Sequence, residues 1–145
     1  MYREYDEQTL KRLQQTELGI LKDFLWLCEK YHLTYFSFAG TAIGALRHKG
    51  FIPWDDDIDV CMPRRDYQKF LKVVKKEFPD RYQVMNAEEN ENYPLTTTRL
   101  MLRGTEFREE AFKDLNCPLG IFLDIYPFDP VADDEKAYRR QAFEA

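Results

Sequence analysis

Along residues 6–31 the apolar side chains return with a helical period. Leu10, Leu13, Ile20, Leu21, Phe24, Leu25, Cys28 and Tyr31 form one stripe, broken by a single polar position, Glu17. The pattern predicts a long amphipathic helix. Tyr35-Phe36-Ser37-Phe38-Ala39 then reads as a strand ending at Gly40, and Thr41 reads as the cap of a short helix running to about His48. Pro53 shapes an extended link over 51–54. A second strand is predicted over 57–62. Pro63 opens a helix to about residue 78, with Tyr67, Phe70, Leu71, Val74 and Phe78 turned inward. After Pro79 the reading is three strands, 82–86, 95–102 and 120–126, with a polar turn over 88–92. A last helix starts at Asp133 and is still running at Ala145, so the chain reads as one domain that stops inside a helix.

Composition narrows the class. A chain of 145 residues, 44% hydrophobic and 32% charged, is a globular domain with material for one core. A net charge of −5 with no long basic run argues against nucleic acid as a partner. Lys72, Lys75 and Lys76 fit a solvated helix face. No run approaches the roughly 18 apolar residues of a membrane span, and the first residues lack a signal-peptide apolar region. Cys28, Cys61 and Cys117 are scattered and form no C-x-x-C pair. They read as buried free thiols in a reducing compartment, and the expected location is the cytoplasm.

The chemistry concentrates between residues 40 and 60. Asp55, Asp56, Asp57 and Asp59 place four carboxylates within five residues, directly before the apolar Val60-Cys61-Met62. Acids two apart on a strand share a face, with Cβ atoms roughly 6.6 Å apart, so Asp57 and Asp59 would project together while Ile58 enters the core. Such a pair suits a divalent cation handling phosphates, because hard cations take oxygen ligands. A calcium loop does not fit: Val60 stands where Gly is required, and Asp66 where Glu is. Asp124 interrupts the apolar run Ile121-Phe122-Leu123 and Ile125-Tyr126, where an unpaired charge is costly. It would complete the ligand set begun by Asp57 and Asp59. Asp129, in a Phe-Asp-Pro turn, reads as a turn residue.

Gly40, Gly44 and Gly50 match neither the Rossmann nor the Walker glycine pattern. A strand ending in Gly40-Thr41 and opening a helix still offers backbone N–H groups as a phosphate cradle. Arg47, His48 and Lys49 could neutralise phosphate charge, or could simply be a basic helix C-terminus favoured by the macrodipole. Ser37 has no nucleophile-elbow context. His32 reads as a residue at the end of the first helix.

In this order the pieces resemble the nucleotidyltransferase fold of the polymerase-β superfamily: an α/β (α+β) core with a mixed sheet flanked by helices. More narrowly, Gly40-Thr41, Gly44, Arg47-His48 and Gly50-Phe51-Ile52-Pro53-Trp54-Asp55-Asp56-Asp57-Ile58-Asp59 look like the signature of the LicD family. Gly120 to Asp129 supplies a second matching block. That family comprises bacterial phosphocholine transferases related to the fukutin-type glycan phosphotransferases. The resemblance implies transfer of phosphocholine, or a similar phospho-alcohol, from a CDP-linked donor such as CDP-choline to a sugar of a cell-surface glycan. It implies Mg²⁺ (or Mn²⁺) on Asp57, Asp59 and Asp124, with Asp124 as proton acceptor and a second Mg²⁺ holding the departing phosphate oxygens. Gly40 and Thr41 would contact donor phosphate, Arg47 and His48 would offset its charge, and a lipid-linked acceptor would bring peripheral membrane contact. A choline headgroup would need an aromatic box; Trp54, Tyr93 and Tyr126 lie beside the motifs, though each reads first as a core residue. Two rivals remain: a conventional nucleotidyltransferase releasing pyrophosphate, and a nucleotide-binding fragment without turnover. Family members are usually longer, so a further C-terminal part carrying acceptor contacts is expected.

Overall fold

The computed structural model describes residues 5–144. Helix α1 (Glu7–Tyr31) starts at Asp6, whose side chain accepts from the Thr9 N–H, and ends at His32 in a left-handed conformation. After it come β1 (Phe36–Ser37), α2 (Ala39–His48), β2 (Asp59–Pro63), α3 (Arg64–Glu77), β3 (Tyr82–Met85), β4 (Thr98–Leu102), a short 3₁₀ turn (Glu110–Phe112), β5 (Phe122–Phe128) and α4 (Glu135–Glu144). The five strands form one mixed sheet in the order β1-β2-β5-β4-β3. Only β2 and β5 run parallel; the other neighbours are antiparallel. The expected α/β architecture, a mixed sheet flanked by helices, is therefore present.

The amphipathic helices cover one face of the sheet. Ile20, Phe24 and Leu27 of α1 and Tyr67, Phe70 and Val74 of α3 are buried against Val60, Met62, Leu123 and Ile125. Side chains alternate along a strand, so the residues between these, including Asp59 and Asp124, face the other side. A smaller cluster of Met85, Tyr93, Met101, Cys117 and Leu119 closes the far end. Cys28, Cys61 and Cys117 are buried free thiols, as expected, and Lys72, Lys75 and Lys76 lie on the exposed face of α3.

The element boundaries differ in several places. The strand expected over 35–39 keeps only Phe36 and Ser37, because the chain turns into α2 at Ala39, which has a positive φ of 45°. Thr41 is not the cap of α2. It lies inside the first turn, where its hydroxyl accepts from the Asp59 N–H at 2.8 Å. β2 begins at Asp59 rather than 57, since the three preceding acids form an irregular loop. The strand expected over 95–102 starts at Thr98, and the one expected over 120–126 runs from Phe122 to Phe128 beside β2. The polar turn over 88–92 is present, with Asn86 Oδ1 accepting from the Glu89 N–H at 2.8 Å. The last helix starts two residues later than expected, after Asp134, whose side chain accepts from the Ala137 N–H. Ala145 lies outside the described residues. Among the described residues no helix is long and apolar enough to cross a membrane.

Candidate active site

Two adjacent strands bring the acids together. In the parallel register of β2 and β5, Asp59 stands directly beside Asp124, while their neighbours Val60 and Ile125 enter the core. Asp57 arrives from the end of the acidic loop, ahead of the paired strand. One carboxylate oxygen from each of Asp57, Asp59 and Asp124 lies within 4.8 Å of the others. Asp57 and Asp59 are thus brought together by a loop and a strand rather than by one strand.

The surroundings hold these acids in place. Arg99 of β4 is the antiparallel partner of Asp124. Its Nε donates to Asp124 Oδ1 at 3.3 Å, and its Nη1 to Glu109 at 2.8 Å. The guanidinium lies over the Phe122 ring, 3.7 Å from the centroid. The Tyr126 hydroxyl donates to Asp59, and its ring packs on Phe38 at 4.9 Å.

Burial and mutual repulsion keep protons on the centre. Asp57 is pushed up to about 7, first by burial and then by the charges of Asp59, Asp55, Asp56 and Asp124. Asp124 rises to about 6 through burial, with Arg99 pulling the other way. Burial also raises Asp59, against the Tyr126 hydrogen bond. A cation would replace those protons. The donor set is all oxygen, which selects a hard ion. Octahedral Mg²⁺ with ligands at about 2.1 Å needs oxygens roughly 3 to 4.2 Å apart, and small side-chain rotations close a 4.8 Å group to that spacing. The residues fit the ion.

Gly40 and Thr41 sit at this centre. Thr41 holds the start of β2, and a Cβ built on Gly40 would lie 2.7 Å from Asp55 Oδ2. The first turn of α2, with its unsatisfied N–H groups, therefore opens at the acids. Arg47 and His48 are exposed in the last turn of that helix, roughly 9 Å further along its axis than Thr41. This is the placement of the helix-terminus reading. Of the aromatic candidates, Tyr93 belongs to the smaller core cluster, Tyr126 supports Asp59, and Trp54 is 65% exposed. Asp129 takes a two-pronged bond from Arg64, at 2.9 and 2.6 Å.

Two site residues escaped the sequence reading. Arg99 is a charge inside the strand Thr98–Leu102; the rule that singled out Asp124 applies equally to it. Glu17, the break in the apolar stripe of α1, is buried at 1% exposure and faces the acidic loop.

The family described as LicD/FKTN/FKRP, nucleotidyltransferase domain, matches residues 32–144. A Haemophilus influenzae protein named lipopolysaccharide cholinephosphotransferase LicD is 40% identical over 128 residues, covering 88% of this chain and 47% of that protein. An uncharacterized Rickettsia prowazekii protein is 27% identical over 144 residues, covering 82% of this chain and 52% of its own length. The chain thus spans about half the length of the curated relatives it matches. A crystal structure of an antigenic nucleotidyltransferase-like protein from Paracoccidioides brasiliensis aligns with 81% of the chain and 46% of its own at a TM-score of 0.41 and 13% identity, too distant to carry an argument. On the family match over most of its length and the identity to the Haemophilus protein, the chain belongs to the LicD/FKTN/FKRP nucleotidyltransferase family.

Proposed function

We propose that this domain binds a divalent cation and a CDP-linked donor, and moves phosphocholine or a similar phospho-alcohol from that donor to a sugar hydroxyl of a cell-surface glycan. The observation that carries the reading is the convergence of Asp57, Asp59 and Asp124 within 4.8 Å. The name of the Haemophilus relative supports the choice of phosphocholine and of lipopolysaccharide as the acceptor class. Mg²⁺ or Mn²⁺, when bound, would lower the pKa of the acceptor hydroxyl and offset charge on the phosphate oxygens.

The chain's own residues supply the rest. Asp57, Asp59 and Asp124 would hold the ion. Asp124, kept in place by Arg99, is assigned the hydroxyl proton. The first turn of α2, at Gly40 and Thr41, would take a donor phosphate oxygen on its N–H groups. Arg47 and His48, in the last turn of α2, are left to the helix terminus rather than to the donor. The sugar oxygen forms a bond to phosphorus, the bond to cytidine monophosphate breaks, and the proton passes to Asp124. Trp54, exposed beside the acidic loop, is the aromatic face best available to a quaternary ammonium.

Incubation with Mg²⁺, a glycan acceptor and CDP-choline carrying labelled choline tests the assignment. Release of cytidine monophosphate with label on the glycan is the expected result. Pyrophosphate released from ATP would instead indicate conventional nucleotidyl transfer, and donor binding without either product a binding domain.

A further inference from the structure

We propose that the cleft between the first half of α1 and the segment 105–107 seats the cytosine of the donor, with Arg12 and Glu106 reading the edge of the base and Phe107 supporting its face. The assignment rests on the CDP-linked donor reading given above.

The cleft holds about 250 Å³, with Arg12, Leu13 and Thr16 of α1 on one wall and Glu106, Phe107 and Ile121 on the other. Pockets for drug-sized ligands run to about 300–1,000 Å³, so this one takes a single ring system rather than a whole donor. Its floor is apolar, from Leu13, Phe107 and Ile121, and its rim carries a guanidinium and a carboxylate. A flat ring with polar edges matches such a lining.

Phe107 is a fixed platform. Its N–H donates to the Leu119 carbonyl at 2.9 Å. Nearby, the Thr105 hydroxyl accepts from the Ile121 N–H at 2.9 Å and donates to the Leu102 carbonyl at 2.7 Å. Gly120 allows the close approach, since a Cβ there would lie 2.7 Å from Thr105 Oγ1 and 2.9 Å from the Thr105 carbonyl oxygen. Every base has a π face that can rest on an aromatic ring; the edge must supply the choice.

The cleft touches the acidic centre on two sides. Tyr5 lines it, and the Tyr5 hydroxyl donates to Asp56 Oδ2 at 2.9 Å. Phe107 meets Phe122 edge-on at 5.7 Å, and the Phe122 ring carries the guanidinium of Arg99, which bonds Asp124. A nucleotide with its base here has its phosphates beside the acids.

The rim charges suit cytosine. Among the described residues the Arg12 guanidinium has no hydrogen-bond or ion-pair partner. Glu106 Oε1 accepts from Arg108 Nε at 3.1 Å, and a carboxylate with about four lone-pair sites can accept more. Cytosine offers its N4 amine as donor and N3 and O2 as acceptors. Glu106 takes the amine, as acidic side chains do on this base, and Arg12 donates to N3 and O2. Uracil reverses the first two groups: its O4 would face the carboxylate and its N3–H the guanidinium.

The test is calorimetry of cytidine and uridine monophosphates on the full chain in Mg²⁺. The wild type should bind the cytidine nucleotide at least about tenfold more tightly, because the uridine nucleotide leaves both rim groups mispaired. Glu106→Ala and Arg12→Ala should each weaken the cytidine nucleotide and remove most of that preference, while Phe107→Ala weakens both nucleotides alike. Arg12 and Glu106 are exposed, so their variants should keep the wild-type melting temperature and Mn²⁺ affinity; should Phe107→Ala fail to fold, these two decide. A cytidine preference intact in both rim variants overturns the cleft assignment and leaves the donor reading standing. So does a loss of glycan binding in those variants with nucleotide binding unchanged. Equal wild-type affinity for the two nucleotides overturns the base readout, and CDP-choline binding then judges the donor reading separately. A wild type that binds Mg²⁺ but neither nucleotide nor CDP-choline overturns both.

Discussion

At the scale of single residues, Asp124 is held by opposing forces: burial and Asp59 favour its protonated form, and Arg99 favours its charge. In the metal-free protein Asp124→Asn removes a source of repulsion, so thermal unfolding should show stability kept or raised. Calorimetry on the same variant should show Mg²⁺ affinity reduced tenfold or more, since an anionic ligand has become a neutral amide; unchanged affinity would sink the assignment. Arg99→Met acts in the opposite sense. It leaves Asp124 buried without its partner and should cost about 3 kcal/mol in denaturant unfolding, the low end for a broken buried pair because Asp124 can take up a proton. The sign of the pH dependence follows from the same acids. Asp57 at about 7 and Asp124 at about 6 lie well above the ordinary aspartate range. The native state therefore binds more protons than the unfolded chain in that window, and metal-free stability falls as pH rises. Melting temperature should drop from pH 5 to pH 7.5 without metal and flatten with excess Mg²⁺; a steady climb without metal would contradict the repulsive centre. Asp124 was legible because a charge in an apolar run has few cheap explanations. Glu17 was visible only as a flaw in a stripe, since the acids whose charges act on it lie far away in sequence and helical periodicity carries no information about them.

At the scale of elements, α2 joins the acidic loop to the sheet. Thr41 accepts from the Asp59 N–H at 2.8 Å, so Thr41→Val leaves a buried donor unpaired and should cost about 1–3 kcal/mol. The glycines of this helix divide cleanly. A Cβ at Gly44 would lie 2.5 Å from the Gly50 carbonyl oxygen and 2.8 Å from the Ile52 nitrogen, both backbone atoms. A Cβ at Gly40 would meet the tip of the Asp55 side chain, which can swing away. Gly44→Ala should therefore lower the melting temperature sharply, whereas Gly40→Ala should stay folded and lose activity; equal melting temperatures would show that the 50–52 segment yields. Long periodic elements were legible: α1 and α3 came out within a residue or two, because one buried stripe fixes each. The short elements were not. β1 and the start of β2 are set by hydrogen bonds between Phe38, Thr41 and Asp59, contacts that local pattern does not encode. Thr41 looked like a cap because capping and cross-linking ask for the same hydroxyl.

At the scale of the whole molecule, the sheet places the acids on the face opposite the α1–α3 core, and the start of α2 opens beside them. The family was legible because its signature crosses that junction in one continuous stretch, residues 40–59, whereas acceptor contacts leave no such mark in the matched half. Donor binding and transfer are for this reason separable by experiment. The domain contains the proposed cation ligands and the α2 N-terminus, so it should bind a CDP-linked alcohol whether or not it turns the donor over. A ligand that binds only the folded state stabilises it by about 2.7 kcal/mol at a hundred times its dissociation constant. For a domain of this size that is a rise of about 8 °C in melting temperature. With Mg²⁺ present, CDP-choline should give a shift of this order, and ATP or GTP a smaller one. Without Mg²⁺ the CDP-choline shift should largely vanish, because the acids then face the donor phosphates with like charge. A larger shift with ATP would point to conventional nucleotidyl transfer, and a CDP-choline shift that persists without metal would place the donor away from Asp57, Asp59 and Asp124.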